Sequence, residues 1–185
     1  MPTVREIEQA LFALAPKAGA MEWDNVGHLL GDPEQPVTKV CVALDITEAV
    51  AREAIENGCE LIVSHHPVMN CKWLPVQTVR SDTPQGHLLL RLLRSNVSAI
   101  CMHTNLDVAP GASTMPFARR PGAGGPWAPG GPGSLCRVGT LQSPMPLQDF
   151  ARKVCRDLHA NGVPVRRVRQ DGPSCGGGRR RLRRL

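Results

Sequence analysis

Two histidines stand side by side in ELIVSHHPVMN, residues 60–70, and a third lies four residues before an aspartate in CMHTNLDVAPG, residues 101–111. Imidazole suits zinc, iron, nickel or manganese, and a carboxylate can bridge two divalent ions through its two oxygens. His65, His66, His103 and Asp107 therefore make a mixed nitrogen and oxygen set that points to metal chemistry. Neighbouring side chains on a regular strand point to opposite faces, so two adjacent histidines cannot both chelate one ion from a strand. Pro67 changes this: it holds His66 extended and breaks the ladder where the strand leaves the sheet, so both rings can turn toward a cavity at the sheet's end. Ligands placed this way suit a pair of ions better than one tetrahedral ion. A lone histidine or aspartate at a strand end is ordinarily a capped or solvated residue; two such corners in one unit favour the metal reading.

Other residues offer less. Asp45 is either a carboxylate steadying an imidazole from behind or a simple helix cap, and the sequence leaves both open. His28 and His87 read as surface residues, and Cys41 and Cys101 as small buried hydrophobes within strands. No G-x-S-x-G elbow and no Walker-type phosphate loop is present, and no Cys-His arrangement supports a nucleophile, which removes nucleophilic triads.

The elements that must position these residues are legible from periodicity. TVREIEQALFALAP opens with a capping box, Thr3 and Glu6, and carries apolar residues at Val4, Ile7, Leu11 and Leu14, so a helix is expected there. EWDNVGHLLGDP reads as a loop. KVCVALDI, residues 39–46, is a short strand, and Thr47 caps a helix that Gly58 stops. A second strand follows at 60–65, then a helix begun by Thr83-Pro84, then a third strand at 97–103. This alternation predicts an α/β fold, a layered mixed sheet with flanking helices. Ligands gather beyond the carboxyl ends of strands in such sheets, where Asp45, His65, His66 and His103 fall.

Composition divides the 185 residues. Residues 1–111 hold 8 Lys and Arg against 13 Asp and Glu, a balance of −5; the remainder holds 14 against 3, a balance of +11. That basic remainder also has 12 of the 18 glycines and 9 of the 17 prolines, poor material for a core. The organisation expected is a metal-binding α/β unit at 1–111, an irregular segment at 112–132, a partial second α/β unit at 133–171 and a Gly/Arg-rich tail at 172–185. In the partial unit LQDFARKVCRDLHANG reads as a helix stopped by Gly162, and VPVRRV as a strand. Seven cysteines without a C-x-x-C pair argue against a disulfide framework or a zinc ribbon and fit a cytoplasmic setting. Glu6 and Glu8 interrupt any signal-peptide core, and no apolar run is long enough to span a membrane.

EWDNVGHLLGD, VALDIT, LIVSHHPV and HTNLDVAPG, in that order, resemble the NGG-interacting-factor-like dinuclear metal centre hexameric proteins, the GTP cyclohydrolase 1 type 2 homologues. The resemblance covers residues 1–111. It implies an NGG-interacting-factor-like fold of two intertwined units, a homo-oligomer that is a toroidal hexamer, and two divalent ions per subunit, of Zn, Fe, Mn or Ni. By motif, His65 and His66 match adjacent histidine ligands, Asp107 matches a bridging aspartate, and His103 is a lesser candidate in the same motif. Trp23, Asp24, Asn25 and Gly27 match a motif that shapes the site entrance. The family closes its site with a histidine and a glutamate four residues later; here His159 is followed by Ala160, Asn161, Gly162 and Val163, so two ligands are missing and the second unit is incomplete.

The function implied is a dinuclear metal-dependent hydrolase of a small molecule, using a metal-bridged water. The alternatives are a regulatory or nucleic-acid-binding module with a structural metal, its Arg179-Arg180-Arg181 and Arg183-Arg184 contacting phosphate, or an inactive truncated copy. Three Trp, three Phe and no Tyr leave few platforms for stacking bases. A frameshift accounts for both the missing pair and the odd composition. The family pattern after the aspartate motif resembles Gly-Val-Asn-Asp-Ala-Leu, and codons that can encode Ala112 to Phe117, such as GCG, TCA, ACG and ATG for the first four, read out of frame as Val-Asn-Asp-Ala followed by the start of Leu. We hypothesise that the frame is restored before SLCRVGTL and that a second shift yields the Gly/Arg-rich tail. Resequencing is expected to find an inserted or deleted base just before the Ala112 codon; an intact frame there sinks the idea.

Overall fold

The computed structural model describes residues 1–69, 78–110, 128–129, 135, 137–138 and 141–165. Residues 112–127, 130–132 and the tail 172–185, on which the out-of-frame and Gly/Arg-rich readings fall, lie outside the described residues. The chain divides into two compact units, Met1–Gln142 and Ser143–Leu185.

The first unit is built on a four-stranded sheet. Helix α1 is Val4–Leu14, and a 3-10 turn follows at Lys17–Gly19. Strand β1 is Gly27–Leu30, β2 is Val40–Ala43, helix α2 is Glu48–Glu56, and β3 is Leu61–Ser64. Helix α3 is Pro84–Arg94, β4 is Ser98–Cys101, and a short helix α4 is Thr104–Val108. The sheet order is β1-β4-β3-β2, with β2, β3 and β4 parallel and β1 antiparallel to β4. The expected mixed sheet with flanking helices is therefore present.

The caps that the sequence announces are made. Thr3 and Glu6 close the capping box of α1, the Thr47 hydroxyl accepts from Val50 N at the start of α2, and the Thr83 hydroxyl accepts from Gly86 N at the start of α3. Alternation along the strands fills two layers. Leu61 and Ile100 point toward α1, where they meet Val4 and Met102; Ile62 and Ala99 point toward α2 and α3, where they meet Ala51, Leu89 and Leu92. Val4, Leu61, Ile62, Leu89, Leu92 and Ile100 are fully buried and each contributes about 1.5–3 kcal/mol of transfer free energy. Leu14 departs from the expected apolar stripe: it lies at the helix end and is 74% exposed. On the edge strand β2 the burial alternates, so Cys41 is only half-buried whereas Cys101 is buried.

Two readings are corrected. The segment expected as a loop contains β1, whose three residues between Gly27 and Gly31 are too few to show alternation. Gly27 and Gly31 have φ of 101° and 103°, and a Cβ on Gly31 would sit 2.8 Å from the Ser98 Cα, so only glycine lets β1 approach β4 so closely. The strands β2, β3 and β4 are also shorter than the expected 39–46, 60–65 and 97–103.

Strands β5, Ala128–Pro129, and β6, Arg137–Val138, pair antiparallel. In the second unit, helix α5 is Leu147–Leu158. It ends at His159, in the left-handed conformation with φ of 52°, three residues before the glycine expected to stop it. Residues 163–165 are not a strand, and the rest of VPVRRV lies outside the described residues. Among the described residues no helix is long and apolar enough to cross a membrane.

One carboxylate ties the entries to β2 and β3 together. Glu60 accepts from Lys39 N at 2.8 Å, Thr38 Oγ1 at 2.8 Å and Thr38 N at 3.0 Å. The Lys39 amide, with the Thr38 hydroxyl and amide, holds its carboxyl down at about 2, from an ordinary 4.5. The stabilisation is complete above the unfolded value and is lost as pH falls through the folded one. Glu60→Gln is expected to flatten the loss of stability between pH 4.5 and about 2 relative to the parent chain, as read from urea midpoints across that window.

Candidate metal centre

Parallel pairing in step brings the strand ends to one edge of the sheet. Ala43 pairs with Ser64 and Ser64 with Cys101, so the chain leaves β2, β3 and β4 along a single row. Beyond β3 the corner is pinned by its own polar groups. The Ser64 hydroxyl donates to His66 O at 2.7 Å, the Cys101 thiol donates to His65 O at 3.0 Å, and the His65 and His66 amides donate to Ala43 O and Leu44 O. The two histidines thus stand outside the ladder and their rings are free of strand alternation.

The rings of His65, His66 and His103 come together, with centroids 5.0–5.4 Å apart. Each is held from behind at Nδ1. His65 Nδ1 donates to Met102 O at 2.9 Å, His66 Nδ1 to Asp45 Oδ1 at 2.7 Å, and His103 Nδ1 to Asp24 Oδ1 at 2.9 Å. Carbonyl and carboxylate oxygens only accept, so each ring carries a proton on Nδ1, and Nε2 is the bare nitrogen of the neutral ring. The three rings offer nitrogens within 4.8 Å of one another. Asp107 joins them, its Oδ1 3.7 Å from His65 Nε2. Of the two readings left open for Asp45, it steadies His66, while Thr47 performs the capping.

The turn expected between His103 and Asp107 is the helix α4, which sets the two residues one turn apart. Asn105 anchors it: its fully buried amide donates to Ala15 O at 2.8 Å and its oxygen accepts from His103 N at 3.0 Å. Thr104 is equally buried; its hydroxyl accepts from Met21 N and donates to Asp24. The Asp24 side chain is 0% exposed. Burial opposes its charge, yet bonds from His103, the Thr104 hydroxyl and amide, and the Asn25 amide outweigh that cost and hold its carboxyl below the usual range. Trp23 meets the His103 ring edge to face at 6.1 Å, and Asn25 Nδ2 donates to Met69 O beyond the histidine corner.

Trp23, Asp24 and Asn25, expected at the site entrance, do lie beside the rings, and the pairing of Asp24 with His103 across 79 positions is one that no spacing in the sequence signals. The only signal was an aspartate in a segment whose turn chemistry explained it sufficiently. His28 is half-buried, its Nε2 on Leu30 O, and exposed His87 lies on α3. A cavity of about 460 Å³ opens at the other end of the strands, by Thr38, Glu60 and Asn96, and contains no histidine. Asn105→Ala leaves the Ala15 carbonyl and the His103 amide without their partner, and is expected to cost about 2–4 kcal/mol in urea denaturation.

The fold and the ordered motifs have relatives. A GTP cyclohydrolase 1 type 2 homolog of Streptomyces coelicolor is 32% identical over 173 residues, which is 90% of this chain and 60% of that protein. A homolog of the same name from Halalkalibacterium halodurans is 39% identical over 97 residues, 52% of this chain and 25% of the relative. The chain thus spans between a quarter and three fifths of these relatives. Among solved structures, a Bacillus cereus protein related to NIF3 is 33% identical with a TM-score of 0.58, over 63% of this chain and 31% of that one. Reduced HcgD from Methanocaldococcus jannaschii shares the fold, with a TM-score of 0.71 at 24% identity, over 84% of this chain and 60% of that one. The profile of one family runs through both units, matching residues 2–175, and the chain belongs to that family, Duf34/NIF3 (NGG1p interacting factor 3).

Proposed function

We propose that the chain binds divalent metal through His65, His66, His103 and Asp107 and serves a hydrolytic reaction on a small molecule. The observation that carries this is the convergence of the rings: all three are held at Nδ1 and offer nitrogens within 4.8 Å of one another beside a carboxylate. Three imidazoles and a carboxylate fit zinc, iron, manganese or nickel. Bound divalent ions would supply Lewis acidity, polarising a substrate oxygen and making water a stronger acid.

The protein's own residues supply the rest. His65, His103 and Asp107 are largely shielded, with side chains 17–23% exposed, so they form the inner wall of the site. His66 is 46% exposed and stands on the solvent side, open to an approaching substrate. Asp107 lies 3.7 Å from His65 Nε2, where its carboxylate would help hold bound metal and could accept a proton from water. The name borne by the relatives makes GTP the first compound to assay. The resemblance supports a homo-oligomer of six subunits, and Cys41, Cys59, Cys101 and Cys155, as thiols rather than disulfides, fit a cytoplasmic setting.

Elemental mass spectrometry of the purified chain is expected to give about two divalent ions per chain, with a clear loss in His65→Ala and in Asp107→Ala. GTP hydrolysis is expected to vanish with chelator and return with added metal. A folded chain that takes up no metal after incubation with zinc, iron, manganese or nickel overturns the proposal.

A further inference from the structure

The three imidazoles are not held equally. The carboxylate behind His66 and the ring itself are about half exposed, so water competes for that bond, and His65 rests on a single backbone carbonyl. The carboxylate behind His103 is wholly buried. A buried carboxylate needs several donors, and Asp24 has them: Oδ1 accepts from Asn25 N at 2.8 Å and His103 Nδ1 at 2.9 Å, while Oδ2 accepts from Thr104 N at 3.0 Å and from the Thr104 hydroxyl. The donors from Asn25 and Thr104 serve local structure, by closing the turn at Asp24 and capping α4. The bond to the imidazole serves neither. It costs the site a titratable group held rigid, and what it secures is the direction of His103.

We propose that Asp24 is a positioning residue that locks His103 as the Nδ1–H tautomer and so presents Nε2 to His65 and His66 as a third nitrogen donor. The edge-to-face contact with Trp23 fixes the plane of the same ring, so consecutive residues of one segment set both its tautomer and its tilt. A carboxylate behind an imidazole raises the basicity of the far nitrogen as well as orienting it. The inference rests on the metal reading above only for the use to which Nε2 is put; the tautomer itself is a property of the metal-free chain.

The test uses the full chain labelled with 15N at histidine. In metal-free protein at about pH 8, above the ordinary imidazole range, long-range 1H–15N spectra are expected to show His103 protonated at Nδ1 and bare at Nε2. Asp24→Asn offers one acceptor oxygen in place of two, and is expected to let the Nε2–H form appear and to weaken zinc binding by calorimetry about 10–100-fold. Thr104→Val is the control: it removes a bond to Asp24 but not the one to the ring, so it is expected to lower stability while leaving tautomer and zinc affinity as in the parent. An Nε2–H tautomer at His103 in the parent overturns the proposal, and so does a folded Asp24→Asn with unchanged tautomer and zinc affinity. Should Asp24→Asn fail to fold, the parent spectrum decides. A parent chain that takes up no zinc defeats the metal reading instead, because the Nδ1–H form, lost in Asp24→Asn, still establishes what Asp24 does.

Discussion

The parallel register of β2, β3 and β4 is the constraint on which the rest depends. Because Ala43, Ser64 and Cys101 stand in one row, the residues that follow each strand emerge together. Evenly spaced parallel hydrogen bonds allow no offset along the row, and a slip of one residue would turn Ile62 and Ile100 out of their layers while carrying the histidines away from one another. Packing of the core and convergence of the rings are thus one requirement. The α2 and α3 crossovers and the antiparallel β1 close the sheet around that register, and the caps at Thr47 and Thr83 set where each crossover begins.

The site end of the sheet is held by polar groups rather than by shape. Ser64, Thr104 and Asn105 are buried polar residues there, and each makes side-chain hydrogen bonds. Such a network tolerates little rearrangement, since each group depends on its neighbour for the partner that water would otherwise supply. The backs of the three rings belong to this network, and their fronts are left for chemistry. Met102 shows how closely the two layers are joined: its side chain packs in the core under α1 while its carbonyl orients His65.

What could be read from the residues followed from their physics. Helices α1, α2 and α3 announce themselves through strong caps and periodicity, and β3 and β4 through apolar runs of the length a buried strand needs. The convergence of His65, His66 and His103 was legible because all three follow such runs. β1 was not, since three residues between two glycines carry no period, and its pairing with β4 depends on a close approach that only the folded sheet reveals. α4 was hidden for a different reason: Thr104–Val108 is too short to show a helical pattern, and its start is held by Asp24 and Asn105, which accept from Thr104 N and His103 N. The role of Asp24 was out of reach because its partners are distant in sequence and aspartate in a turn already has a local explanation.

The bonds that complete the site join residues far apart along the chain: Asp24 to His103 and Thr104 across 79 and 80 positions, Met21 to Thr104 across 83, and Asn105 to Ala15 across 90. Closing loops of that length costs entropy before any contact repays it, whereas α2 with its flanking strands needs only short closures. The order of events during folding follows from this. The parallel strands β2, β3 and β4 and their crossovers can form while β1 and the loop carrying Trp23 and Asp24 are still unattached, and the imidazoles acquire their fixed direction only when the beginning of the chain reaches β4 and α4. A partly folded chain would therefore have most of its secondary structure and none of its site, so that chemical competence reports on the last step of folding rather than on the amount of structure present.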